Sequence, residues 1–85
     1  MDIVCYYLYH ADGFAILYVN KTKDYILNEK VQFNLQGCHI ESVYGNYIEV
    51  MVKPGQENLV QINKDENAES FNADIEKMHY EVKPF

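Results

Sequence analysis

Eighty-five residues make one small domain, and a hydrophobic content of 48% with eight Tyr and four Phe supplies a core and argues against a disordered segment. A net charge of −6, with seven lysines and no arginine, argues against a grip on nucleic-acid phosphates or on an anionic membrane surface. No apolar run reaches the length of a membrane helix, the first residues carry no basic region or cleavage site, and two cysteines 33 positions apart form no disulfide framework, so a cytoplasmic protein, or a fragment cut from one, is expected.

Ile3 to Tyr9 is dense in aromatic and branched residues and predicts a strand. Its apolar character is nearly continuous, which predicts cover on both faces. His10-Ala11-Asp12-Gly13 predicts a turn, and Phe14 to Val19 the second strand of a hairpin. Asn20 to Asp24 is a polar connection. Asn20-Lys21-Thr22 within it is a glycosylation sequon that, with no export signal, reads as a turn.

Tyr25 to Leu35 is the strand around which the rest is organised. Apolar residues stand at 27, 31, 33 and 35, with polar ones at 28, 29, 30, 32 and 34, close to period-two alternation. Val31, Phe33 and Leu35 are expected to face the core; Asn28, Lys30, Gln32 and Asn34 are expected to face water. Gln36-Gly37 breaks the strand, Cys38 to Tyr44 predicts a fourth, and Gly45-Asn46 a tight turn. Tyr47 to Val52 predicts a fifth, with Ile48, Val50 and Val52 on one face. Lys53-Pro54-Gly55-Gln56 stops it, since Pro has no donor for a ladder. Leu59 to Ile62 predicts a short sixth strand, and Asn63 to Ser70 an acidic loop.

Phe71 to Val82 fits two descriptions. As a strand it changes parity and needs a bulge near Glu76-Lys77. As a helix it puts Phe71, Ile75, Met78 and Val82 on one face, with Ser70 as the cap. The β character of everything before it favours the strand. The expected fold is all-β, a single antiparallel sandwich or barrel domain over residues 1–85 with six to eight strands. An α+β domain with a C-terminal helix from Ser70 is the alternative.

Few residues are spaced for chemistry. Cys38 and His39 are neighbours in a strand, so they face opposite sides and cannot act as a nucleophile and base pair. Cys5 can meet His10, His39 or His79 only through folding, and the three histidines lack metal-ligand spacing. With Asp65 as position 1 of a calcium loop, Asn67, Glu69 and Glu76 take the oxygen-ligand positions 3, 5 and 12. Position 6, which needs Gly, is Ser70, and position 8, which is ordinarily apolar, is Asn72. A solvated acidic loop is the favoured reading, with calcium as a disfavoured ligand. The glycines at 13, 37, 45 and 55 are single turn residues and form no phosphate loop. No catalytic residue, cofactor or metal is therefore expected.

Two segments carry a resemblance. Glu29-Lys30-Val31-Gln32-Phe33-Asn34-Leu35 is followed by Gly37 and Ile40; Val52-Lys53-Pro54-Gly55-Gln56-Glu57-Asn58-Leu59-Val60 is followed by Phe71 after an acidic-polar gap. Their order resembles the small C2-like, jelly-roll-like β-sandwich modules attached to calpain-type cysteine proteases. The resemblance covers about residues 14 to 82 and lacks the protease's catalytic Cys, His and Asn motifs. It implies a non-catalytic regulatory module that binds protein, a protease core or its substrate, either as the accessory domain of a calpain-like protease or as a stand-alone calpain-related protein. A calcium-responsive module and a small cysteine-dependent enzyme are the alternatives.

Overall fold

In the computed structural model, which describes residues 2–85, the chain is built of seven strands. They are β1 (Ile3–His10), β2 (Gly13–Asn20), β3 (Tyr25–Gln36), β4 (Cys38–Ile40), β5 (Tyr47–Val52), β6 (Glu57–Lys64) and β7 (Asn72–Pro84). All neighbours pair antiparallel, in a four-stranded sheet of order β1-β2-β6-β4 and a three-stranded sheet of order β5-β3-β7. The described residues contain no helix, so the C-terminal segment is strand and the α+β alternative falls.

The alternation in β3 does what period two requires of a middle strand. Leu27, Val31 and Phe33 are buried on one side and Lys30 and Asn34 are exposed on the other. They meet Ile48, Val50 and Val52 of β5 and close the core against Phe14, Ile16, Tyr18, Ile40 and Ile62 of the opposite sheet. Leu35 is only partly buried at its edge, and Gln32 and Asn28 are half-covered instead of free in water.

The parity change in β7 is resolved by a bulge. Gln32 pairs with Lys77 and Phe33 with Ile75, so Glu76 is the extra residue. Ile75 and Met78 thereby both follow the inward-facing residues of β3. The β3–β7 ribbon also sets the outline. The molecule measures 44 × 22 × 19 Å with a radius of gyration of 13.8 Å, against roughly 12 Å for a compact domain of this length. Thirteen residues of β7 at about 3.3 Å each span roughly 43 Å, the whole long axis.

Three expectations are corrected. The fourth strand stops at Ile40, because Val43 turns back to donate to the Ile40 carbonyl and Ser42 and Gly45 take positive φ. β6 runs longer than Leu59–Ile62, because β2 templates it from Glu57 to Asn63. β1 is not covered on both faces: six of its eight residues are exposed. One glycine is required by packing. Gly37 has φ 69° and a Cβ there would lie 2.5 Å from the Ser70 carbonyl oxygen, so the end of β3 can pass the acidic loop only without a side chain.

Candidate functional site

β1 is an edge strand held by β2 alone. Its residues Cys5, Tyr7 and Tyr9 share the inner face with their partners Tyr18, Ile16 and Phe14; Val4, Tyr6 and Leu8 share the outer face with Val19, Leu17 and Ala15. The strand contains no charged residue and no proline, two of the devices by which proteins blunt a free edge. Its outer face is apolar as well, and Leu59 of β6, 57% exposed, extends that surface beyond Leu17.

Beneath β1 the sandwich is open. Tyr7 of β1 and Met78 and Tyr80 of β7 form the two walls of a cleft of about 340 Å³, with Tyr18, Leu27 and Glu29 also lining it. Tyr18 is 2% exposed, whereas Tyr80 is 62% exposed, so the cleft has a dry floor and an accessible mouth. Glu29 stands at an inward position of β3, paired with Val50 on one side and Tyr80 on the other. The signal for it lies in the sequence: Glu29 takes the inward slot between Leu27 and Val31, where the alternation calls for an apolar residue.

The electrostatics of this cleft oppose nucleophilic chemistry. The Tyr18 phenol is pushed well up by burial and then by the Glu29 carboxylate beside it. Burial, with Glu29 second, likewise raises the Cys5 thiol. Burial raises the Tyr7 phenol, with Cys5 next among the causes. A thiolate is disfavoured here, the reverse of what an activated cysteine needs.

The residues singled out from the sequence are dispersed. Cys38 is buried, and its thiol donates to the Asn72 carbonyl at 3.5 Å; burial raises its pKa. His39, on the other face of β4, donates from Nδ1 to Asp65 Oδ1 at 2.7 Å. His10 accepts from Gln61 Nε2 at 3.1 Å, and His79 pairs across the sheet with Lys30. In the acidic loop, Lys64 Nζ donates to the Ala68 carbonyl at 2.9 Å and the Ala68 amide to the Asp65 carbonyl at 3.1 Å. Asn67 and Glu69 lie in this loop, while Glu76 sits in the β7 bulge. Among the described residues no three His, Cys, Asp or Glu side chains gather as a metal site.

The sequon has a structural use. Asn20 is 1% exposed at the end of β2. Its Nδ2 donates to the Tyr25 carbonyl at 2.8 Å and the Val52 carbonyl at 3.0 Å, joining the two sheets. Its Oδ1 accepts from the Thr22 amide at 2.9 Å and the Thr22 hydroxyl at 2.6 Å. The chain matches no family model, no curated protein and no solved structure.

Proposed function

We propose that the chain is a non-catalytic protein-binding module that receives an extended segment of a partner along the open edge of β1. The observation that carries this reading is β1 itself: eight residues with a free hydrogen-bonding edge, no charge, no proline and apolar side chains on both faces. Such an edge is a template for strand addition, in which main-chain bonds give affinity and alternate side-chain positions give selectivity. Tyr6, Tyr7 and Tyr9 supply contact area at low entropic cost. The charge of −6 favours a basic partner. An accessory role beside a calpain-type protease core or its substrate falls within the same reading, on the strength of the sequence resemblance.

The test is a displayed library of extended peptides selected on the domain. Selected peptides are expected to protect the Ile3–His10 amides from exchange and to bind less tightly as salt rises, since exposed charges are screened within about 8–10 Å at physiological ionic strength. Tyr6→Lys and Leu8→Lys should each weaken capture about tenfold with the fold intact. Protection on another surface refutes the reading. So does cleavage of the peptides that is lost in Cys5→Ser or Cys38→Ser, and so does a domain whose β1 edge is already closed by self-association in sedimentation.

A further inference from the structure

Among the described residues, the cleft under β1 holds a carboxylate without a counter-charge. Glu29 is half-buried, and the ion pair found among the described residues is His39–Asp65, elsewhere on the surface. The groups around it are phenols, a thioether, a thiol and aliphatic carbons, none of which is a cation. Lys30, its chain neighbour, projects from the opposite face of β3. Filling this cleft with an apolar side chain would strip water from the carboxylate and give nothing back, which is costly for an unpaired charge. Filling it with an anion would be worse. An organic cation reverses both terms: it pairs with the carboxylate and lies against the electron-rich faces of tyrosines. A metal ion is a poor occupant, because one carboxylate is the cleft's whole supply of acidic oxygen. The volume of about 340 Å³ is at the small end of ligand pockets, which run from roughly 300 to 1,000 Å³, and suits one long side chain.

We propose that this cleft is a specificity pocket for a lysine side chain carried by the partner segment, with Glu29 pairing the ammonium and Tyr7, Tyr18 and Tyr80 enclosing the stem and head. The inference rests on strand addition at β1, since the inward positions of that strand border the cleft. An added strand places alternate side chains on that same inner side. The lysine stem covers apolar wall while its ammonium reaches the floor.

Amide-shift titrations separate the two readings. The probes are Nα-acetyl-lysine methylamide, its trimethylammonium form, the neutral norleucine analogue, and an alternating apolar peptide bearing either lysine or norleucine at one position. Both cationic small molecules should move the amides of residues 5–7, 29 and 80, and norleucine should bind about tenfold more weakly or not at all. Glu29→Gln should reduce binding of the cations about tenfold without lowering the urea midpoint, and Tyr80→Leu, at an exposed position, should weaken it with the fold unaffected. The inference is overturned if norleucine binds as well as lysine, if Glu29→Gln binds the cations as the native protein does, or if the shifts map elsewhere. If the peptides pair with β1 equally well with lysine or norleucine, strand addition stands and the lysine pocket falls. If the small cations fill the cleft while no peptide protects β1, the cation site stands and strand addition falls.

Discussion

Replacing Asn20 by alanine removes a four-bond clasp at the point where β2, the β2–β3 connection and β5 meet. The bond to the Val52 carbonyl is buried, and leaving that acceptor without a donor costs about 1–3 kcal/mol. The bonds to the Tyr25 carbonyl and from Thr22 are only partly buried, so water recovers much of their worth and each contributes about 0.5–1 kcal/mol. The sum is about 2.5–6 kcal/mol, against roughly 5–15 kcal/mol for a whole domain. Urea melts followed by circular dichroism should show the midpoint falling sharply with the slope unchanged. Thr22→Val removes only the outer part of the clasp and should cost about 1 kcal/mol. Asn20→Asp keeps the acceptor for Thr22 but turns a carboxylate toward two carbonyl oxygens, and should be at least as damaging as Asn20→Ala. A loss below about 1 kcal/mol in Asn20→Ala, or an equal loss in Thr22→Val, would refute the account.

Phe33→Ala should cost about 3–5 kcal/mol in the same assay and Gln32→Ala little, since the first empties a core site and the second trims the opposite face; equal effects would mean the register of β3 is wrong. Tyr18 gives an alkaline prediction. Its folded pKa lies above the unfolded value of 10.0, so its contribution to stability is full below pH 10 and declines as pH rises past that value. Tyr18→Phe should therefore lose less stability than the native chain between about pH 9 and pH 11, and parallel losses would contradict a protonated phenol. Calorimetric titration should show no calcium site tighter than about millimolar, because position 6 of the would-be loop is Ser70; a micromolar site lost in Glu69→Gln or Glu76→Gln would reverse that.

Much of the frame is legible in the residues because side-chain parity leaves a direct trace. Val31 and Phe33 alternate into the core, Ile48, Val50 and Val52 do the same from β5, and the parity change between Ile75 and Met78 marks the Glu76 bulge. What escapes is whatever apolar pattern does not encode. The run from Ile3 to Tyr9 shows that both faces want cover, but not whether this chain provides it, and β1 ends up exposed. Cys38 to Tyr44 has strand-like residues, yet Ser42 at φ 63° turns the backbone away after Ile40. Glu29 is legible in hindsight as a single charge in an inward slot. Its setting between Tyr18 and Tyr80 depends on strands that lie far from it in the chain.

The long β3–β7 ladder also governs when the domain can form. Tyr25 pairs with Pro84 and Gln36 with Asn72, so the central strand of one sheet waits for a partner strand synthesised well after it. Between synthesis of Val52, which completes β5, and of Pro84, a ribosome adding about 5–20 residues per second takes roughly 2–6 s. Over that interval β3 has a partner on only one side. Pairings of such sequence separation form slowly even once the chain is free. The nascent protein therefore passes through a stage in which β3 presents an unpaired edge, and a β7 truncation should arrest it there. Pulse-labelled translation intermediates ending before Asn72 should remain sensitive to protease, and those extending past Pro84 beyond the exit tunnel should become resistant.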